Sequence, residues 1–212
     1  MAELPLVAEA PYRDRLLLRL SPEARDAAEA ALSFPVPTTP LTSSQSDGAS
    51  CLWLGPDEWL LTVPPGQLDA TNHALARALA GTHHAIADVS HRSVVLLLSG
   101  PHARAILAAG CPLDLHPRSF PPGTVARTSL GKAAVTLHRT GADGFELHVE
   151  RSFRDYAVLF LAEAAREFGG ASGVEAEEKL AAARAPPSLG RLVVGSRPRR
   201  PRRPAKGSRE QM

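Results

Sequence analysis

The segment Asp88, Val89, Ser90, His91, Arg92, Ser93 gathers the residue types of an acid–base site. A carboxylate three positions before an imidazole can orient it as a base, and a hydroxyl in reach could then be activated for attack. Ser90 and Ser93 are sequence neighbours of that base and would have to fold back onto it, so a hydrogen-bonded structural corner is the expected role. Cys51 and Cys111 lie in apolar contexts and read as free core thiols; Cys111 follows a helix end, where nothing lowers a thiol pKa. His83 and His84 point in different directions on any regular element and have no third ligand at a useful spacing, which predicts a solvated loop rather than a metal pair. There is no G-x-S-x-G elbow, P-loop, G-x-G-x-x-G, H-E-x-x-H or C-x-x-C. No catalytic, cofactor-binding or metal-binding residue is therefore assigned, and no self-contained active site is expected.

The chain that must position these residues has 212 of them, 44% hydrophobic, with a formal net charge of +2. Its longest uninterrupted aliphatic run, Val94 to Leu98, is far short of the roughly 20 residues needed to cross a bilayer. The opening MAELPLVAEAP carries glutamates and no basic residue before Arg13, the wrong charge order for a secretory signal. With two cysteines and no disulfide framework, a cytoplasmic location is expected. The near-neutral total hides an asymmetry: residues 1–170 sum to −4 and residues 171–212 to +6. This predicts a compact body over 1–170, a helical or linker extension over 171–190 with Leu180 as its anchor, and a mobile basic tail over 191–212. Proline-spaced arginines in RPRRPRRPAKGSR have no core to bury. The tail reads as a solvated end or as a docking arm for an acidic partner. Nucleic acid is the least favoured partner, because the body offers no basic patch to continue such a footprint.

Within the body, Leu16–Leu20 predicts a strand, placed at an edge because Arg19 interrupts it. Ser21 caps a helix with Pro22 at its first position and an alanine-rich inner face. Residues 35–50 read as a loop. Cys51–Leu54 and Trp59–Val63 predict an antiparallel pair joined by Gly55, Pro56, Asp57 and Glu58, with Trp53 and Trp59 as core anchors or one of them facing a partner. Leu68, Leu75 and Leu79 space an amphipathic helix, and Ala85–Val89 a strand. Ser93–Leu98 reads as a strand buried on most of its length, followed by a helix from Pro101 stopped at Gly110. Three short strands, Val125–Ser129, Ala133–Leu137 and Phe145–Val149, alternate so that Ala133, Val135, Leu137, Phe145, Leu147 and Val149 share a covered face. Lys132, Thr136, His138, Glu146 and His148 fall on the other. A helix over Arg154–Phe168 supplies the cover. The fold class is α+β, built from two small split strand–helix units sharing a core.

The runs CLWLGPDEWLL (51–61), IADVSHRSVVLLLSGPHARAIL (86–107), CPLDL (111–115), FPPG (120–123) and RSFRDYAVLFLAEAAREFG (151–169) resemble the gamma subunit family of heterotetrameric sarcosine oxidase. The resemblance covers roughly residues 12–170, and residues 52–59 are its most specific part. A more distant similarity to the aminomethyltransferase, or glycine-cleavage T-protein, folate-binding fold rests on Val94 to Ala103, on Arg139, Thr140 and Gly141, and on Asp143 to Glu146. The T-protein pattern has a longer insertion, with a glutamate, where this chain has only Ala142. It also has an acidic pair in the region where this chain offers only Asp47. The resemblance implies a noncatalytic subunit in an alpha, beta, gamma, delta assembly that oxidises the methyl group of sarcosine, yielding glycine, hydrogen peroxide and formaldehyde or 5,10-methylenetetrahydrofolate. It places FAD, FMN, NAD, zinc and tetrahydrofolate in the other subunits. The alternative is a stand-alone folate-dependent aminomethyl carrier or transferase.

Overall fold

The computed structural model describes residues 6–169; the expected extension over 171–190 and tail over 191–212 lie outside them. In chain order the strands and α-helices are β1 (Leu6–Glu9), β2 (Asp14–Leu20), α1 (Pro22–Leu32), β3 (Ser43–Ser46), β4 (Ala49–Gly55), β5 (Glu58–Val63), α2 (Leu68–Ala78), β6 (His84–Asp88), β7 (Ser93–Ser99), α3 (Ala103–Ala108), β8 (Val125–Leu130), β9 (Ala133–Arg139), β10 (Gly144–Glu150) and α4 (Arg154–Ala165). They form two five-stranded sheets, β3-β4-β5-β2-β6 and β1-β7-β10-β9-β8, and the paired strands are antiparallel.

Each sheet follows from alternation. In β2 and β5, Leu16, Leu18, Leu20, Trp59, Leu61 and Val63 face α1 and α2, where they meet Ala24, Ala28, Leu75 and Leu79. Ser21 caps α1 by accepting the Ala24 N–H at 3.3 Å. The small Ala24 and Ala28 let that helix sit close to the sheet. In the second sheet Val94, Leu96, Leu98, Phe145, Leu147 and Val149 face α3 and α4 over Ile106, Leu107, Ala157 and Leu161. Trp59 is buried, and its indole N–H donates to Pro37 O at 2.7 Å, which satisfies the one polar atom of a large apolar side chain. Trp53 is half-buried.

The α+β class and the two strand–helix units stand as expected, and several local readings need correction. Residues 35–50 are not loop throughout. Ser43–Ser46 pairs with Ala49–Ser50, Cys51 and Leu52 across a tight turn at Asp47 and Gly48, both with positive φ (45° and 78°), so a polar strand without hydrophobic alternation escapes a pattern search. Strand β2 is not at an edge but lies between β5 and β6. Arg19 is tolerated there because it points to the face away from the helices, where it meets Asp57 and Glu58. In β7 burial alternates along the strand instead of being continuous. His84 opens β6 rather than lying in a loop, whereas His83 is exposed. Strand β1, within the acidic opening segment, pairs with β7 in the register Val7↔Leu98. The largest correction concerns His138 and His148: they are not on a solvent face, being 1% and 8% exposed. The helix-free faces of the two sheets pack on each other, and Leu52, Leu60 and Val125 form a small apolar cluster between them.

Candidate functional site

That inter-sheet layer holds most of the buried polar chemistry. The first sheet contributes Arg15, Leu17, Leu52, Glu58, Leu60 and Thr62 by alternation along β2, β4 and β5. The second contributes Ser93, Arg127, Thr136, His138, Glu146 and His148 from β7 to β10. Three polar clamps cross it. The Arg127 guanidinium binds the buried Glu58 carboxylate, with Nη1 donating to Oε2 at 3.1 Å, and Arg19 Nη2 donates to the same oxygen at 3.2 Å. Arg15 Nη2 donates to the Ser90 and Ser93 carbonyls at 2.6 and 2.7 Å, fixing the connection between β6 and β7.

The third clamp is a line of three residues. Ser43 Oγ lies 3.0 Å from His138 Nε2, and His138 Nδ1 lies 3.2 Å from Glu146 Oε2. The hydrogen bond from His138 holds the Glu146 carboxyl below its ordinary range against the opposing cost of burial, with smaller electrostatic contributions from His138, His148 and Arg13. A serine, an imidazole and a carboxylate in this order have the connectivity of an activated nucleophile. Here the Ser43 hydroxyl also donates to Gly123 O at 2.9 Å, so its single proton is shared between two acceptors, and the histidine is sealed between the sheets. The line ties the edge strand β3 to β9 and to the turn before β8, next to the isolated bridge Thr42↔Thr124 that links the two sheets. We read it as a structural clamp. The signal that could have found it is the alternation placing His138 and Glu146 on one face, which becomes informative once that face is known to be covered.

The residues singled out from sequence fall elsewhere. Asp88 accepts from the Ser90 hydroxyl at 2.6 Å and from the Ser90 N–H at 2.9 Å, and these two bonds hold its carboxyl below the usual range. Ser90 Oγ in turn accepts from Arg15 N–H at 3.0 Å, so the segment is a hydrogen-bonded corner. His91 does not join it; its ring stacks on Tyr12 at 5.4 Å between centroids. Cys51 is fully buried, and burial pushes its thiol up to about 12, which leaves it unreactive at neutral pH. Cys111 Sγ lies 3.8 Å from Thr128 Oγ1. Among the described residues no group of three His, Cys, Asp or Glu side chains could hold a metal ion.

Two cavities open within or beside the layer. One, of about 120 Å³, is lined by Arg13, Arg15, Thr62, Glu146 and His148 among others; the second, of about 180 Å³, lies near Leu60, Arg127 and Thr136. Burial drives His148 down to about 4, so it is neutral at pH 7, and its 4.0 Å approach to Glu146 is no ion pair.

Residues 21–167 match the model of the sarcosine oxidase, gamma subunit family. The chain belongs to the sarcosine oxidase gamma subunit family. It is 38% identical over 122 residues to the sarcosine oxidase subunit gamma of Corynebacterium sp. (strain P-1), covering 58% of this chain and 59% of that protein. Against the corresponding subunit of Arthrobacter sp. it is 38% identical over 123 residues, 58% of this chain and 60% of the relative. The chain thus spans 59–60% of the length of these curated relatives. Among solved structures it is similar to a chain of the heterotetrameric sarcosine oxidase from Corynebacterium sp. U-96 in complex with pyrrole 2-carboxylate, with a TM-score of 0.73, 33% identity, and coverage of 79% of this chain and 87% of that one. The glycine cleavage system aminomethyltransferase T of Bartonella henselae shares the fold, with a TM-score of 0.57 at 16% identity over 76% of this chain and 46% of that one.

The aminomethyltransferase fold raises the question of folate. Sites that enclose a ligand of that size measure roughly 300–1,000 Å³. The two inter-sheet cavities of this gamma-family chain, at about 120 and 180 Å³, are smaller than that; depressions of about 550 Å³ beside Phe160 and about 340 Å³ beside Phe34 lie outside the layer. Among the described residues no helix is long and apolar enough to cross a membrane.

Proposed function

We propose that this chain is a noncatalytic gamma subunit of a heterotetrameric sarcosine oxidase, with alpha, beta and delta subunits as its partners in the cytoplasm. The whole assembly would oxidatively demethylate sarcosine to glycine, releasing hydrogen peroxide and formaldehyde or passing the one-carbon unit to tetrahydrofolate. Flavins, nicotinamide, zinc and folate would be held by the other subunits. The observation that carries this reading is the similarity of both sheets together, at 33% identity over 87% of its length, to a chain of such an oxidase. The inter-sheet layer supports a structural role, because Glu58, Arg127, Ser43, His138 and Glu146 are spent on clamps between the units. In the stand-alone transferase reading the isolated chain would bind tetrahydrofolate. Calorimetry of the isolated chain with micromolar tetrahydrofolate tests the choice: no saturable heat is expected, and a one-site isotherm overturns the noncatalytic assignment.

A further inference from the structure

The described residues include five with a buried side-chain nitrogen or oxygen that finds no hydrogen-bond partner in the protein, and four of the five, Arg13, Arg15, Thr62 and His148, line the same cavity of about 120 Å³. The orphaned atoms are Arg13 Nε, Arg15 Nε, Thr62 Oγ1 and both ring nitrogens of His148. Native interiors leave few such groups, because each carries an uncompensated desolvation cost unless something meets it. Their concentration at one place is therefore the mark of a site.

The charges around it have a definite sign. Arg13, Arg15 and Arg151 all line the cavity, and among the described residues none of the three reaches a carboxylate within 4.0 Å. Arg15 is 5% exposed, and its hydrogen bonds go to backbone carbonyls, which leave its charge uncompensated. Of the two carboxylates on the wall, Glu9 is paired with Arg154 at 2.7 Å; Glu146 is bonded to His138 and also feels the Arg13 charge, which leaves Arg15 and Arg151 without an acidic counterpart there. Burying an unpaired guanidinium is costly, and the Arg15 pKa is lowered chiefly for that reason; an anion in the cavity would remove the cost. The space is a few water volumes, too little for an aromatic ligand. Glu146 stays ionised at neutral pH and stands on the same wall, which disfavours a dianion.

We propose that this cavity binds a small carboxylate monoanion, gripped by the Arg13 and Arg15 guanidiniums, with Thr62 and His148 as its neutral hydrogen-bonding wall. Arginine forks match carboxylate oxygens in pairs, and Thr62 can donate to the same group. The site lies between the two units, so occupancy would tighten the contact of one sheet with the other. It stands independently of the assembly reading, since it concerns the folded chain alone.

The test uses the full chain at pH 7.5 and constant chloride. Calorimetry with sodium acetate is expected to give saturable one-site binding, and the same titration with inorganic phosphate is expected to give at least tenfold weaker binding. The His148 ring resonances, followed by long-range proton–nitrogen NMR, should shift with the same saturation curve. Arg13→Gln, at a half-buried position, should weaken acetate about tenfold, as expected for one charge-assisted hydrogen bond pair. Thr62→Val, nearly the same shape, should weaken it severalfold and serves if the arginine variant does not fold. Absence of saturable acetate binding overturns the proposal. So does phosphate binding as tight as acetate, or acetate binding that leaves the His148 resonances unmoved.

Discussion

The two halves of the molecule repeat one arrangement and complete it differently. In the first, strand, helix, three strands, helix and final strand run β2, α1, β3, β4, β5, α2, β6, and the last strand returns to lie beside the first, giving β6-β2-β5-β4-β3. In the second, β7, α3, β8, β9, β10 and α4 follow the same order, and the sheet is β1-β7-β10-β9-β8. The place that β6 takes beside β2 is taken beside β7 by β1, which comes from the other end of the chain. The second half therefore borrows its closing strand across the first, and that crossing ties the halves together. Their inner faces differ as well. The first sets Leu17, Leu52 and Leu60 beside Arg15 and Glu58, while the second carries both histidines, His138 and His148, beside Arg127 and Glu146, so the layer between them is apolar near Val125 and polar near Arg15.

If each half has its own helix-side core, truncating its largest anchor should unfold that half first. Trp59→Ala and Phe145→Ala should each cost about 3–5 kcal/mol in denaturant melts, the range for buried aromatics. Hydrogen exchange should show amides of β2 and β5 opening in the first variant, and those of β7 and β10 in the second. Equal loss of protection in both sheets would show that the halves unfold as one. Next in size is the response to acid. Burial lowers His148 to about 4, so between its unfolded value near 6.5 and that value the unfolded chain binds more protons and stability falls as pH drops. The loss approaches about 3 kcal/mol by pH 4 and should shrink in His148→Gln. Glu146, whose pKa is also depressed, adds a loss at still lower pH. A pH profile of the variant that matches the parent chain would remove His148 as the cause. Smaller again is the Glu58 clamp. Glu58→Gln should cost about 1–2 kcal/mol, less than a fully buried ion pair because Arg19 and Arg127 are half in solvent. Its double-mutant cycle with Arg127→Gln should show coupling, which a merely local effect would not.

The repeat was partly legible in the residues themselves. The apolar run of β5, the hydrophobic alternation along β9 and β10, and the Ser21-Pro22 start of α1 place elements because burial and capping act locally. Strand β3, made of Ser43, Ser44, Gln45 and Ser46, has no such alternation and exists through backbone pairing with β4. Strand β1 depends on β7, some 90 residues away, and short-range patterning carries no sign of that. The inter-sheet layer was hidden for the same reason. Thr136, His138 and His148 are polar residues on alternate positions, which is what a solvent face looks like until a second sheet covers it. Asp88 and His91, adjacent and chemically suggestive, separate into a Ser90 corner and a stack on Tyr12.

Under the proposed function, this two-unit sandwich is one subunit of a larger oxidase and carries no reaction itself. Co-expression with the alpha, beta and delta chains, followed by native mass measurement and a peroxide assay with sarcosine, tests it most directly. A flavin-coloured assembly containing one copy of this chain is expected. Its turnover should survive Ser43→Ala and His138→Gln introduced together, provided the assembly forms. An oxidase of the other three chains that never takes up this one, or loss of turnover in an intact assembly carrying the double substitution, would contradict it.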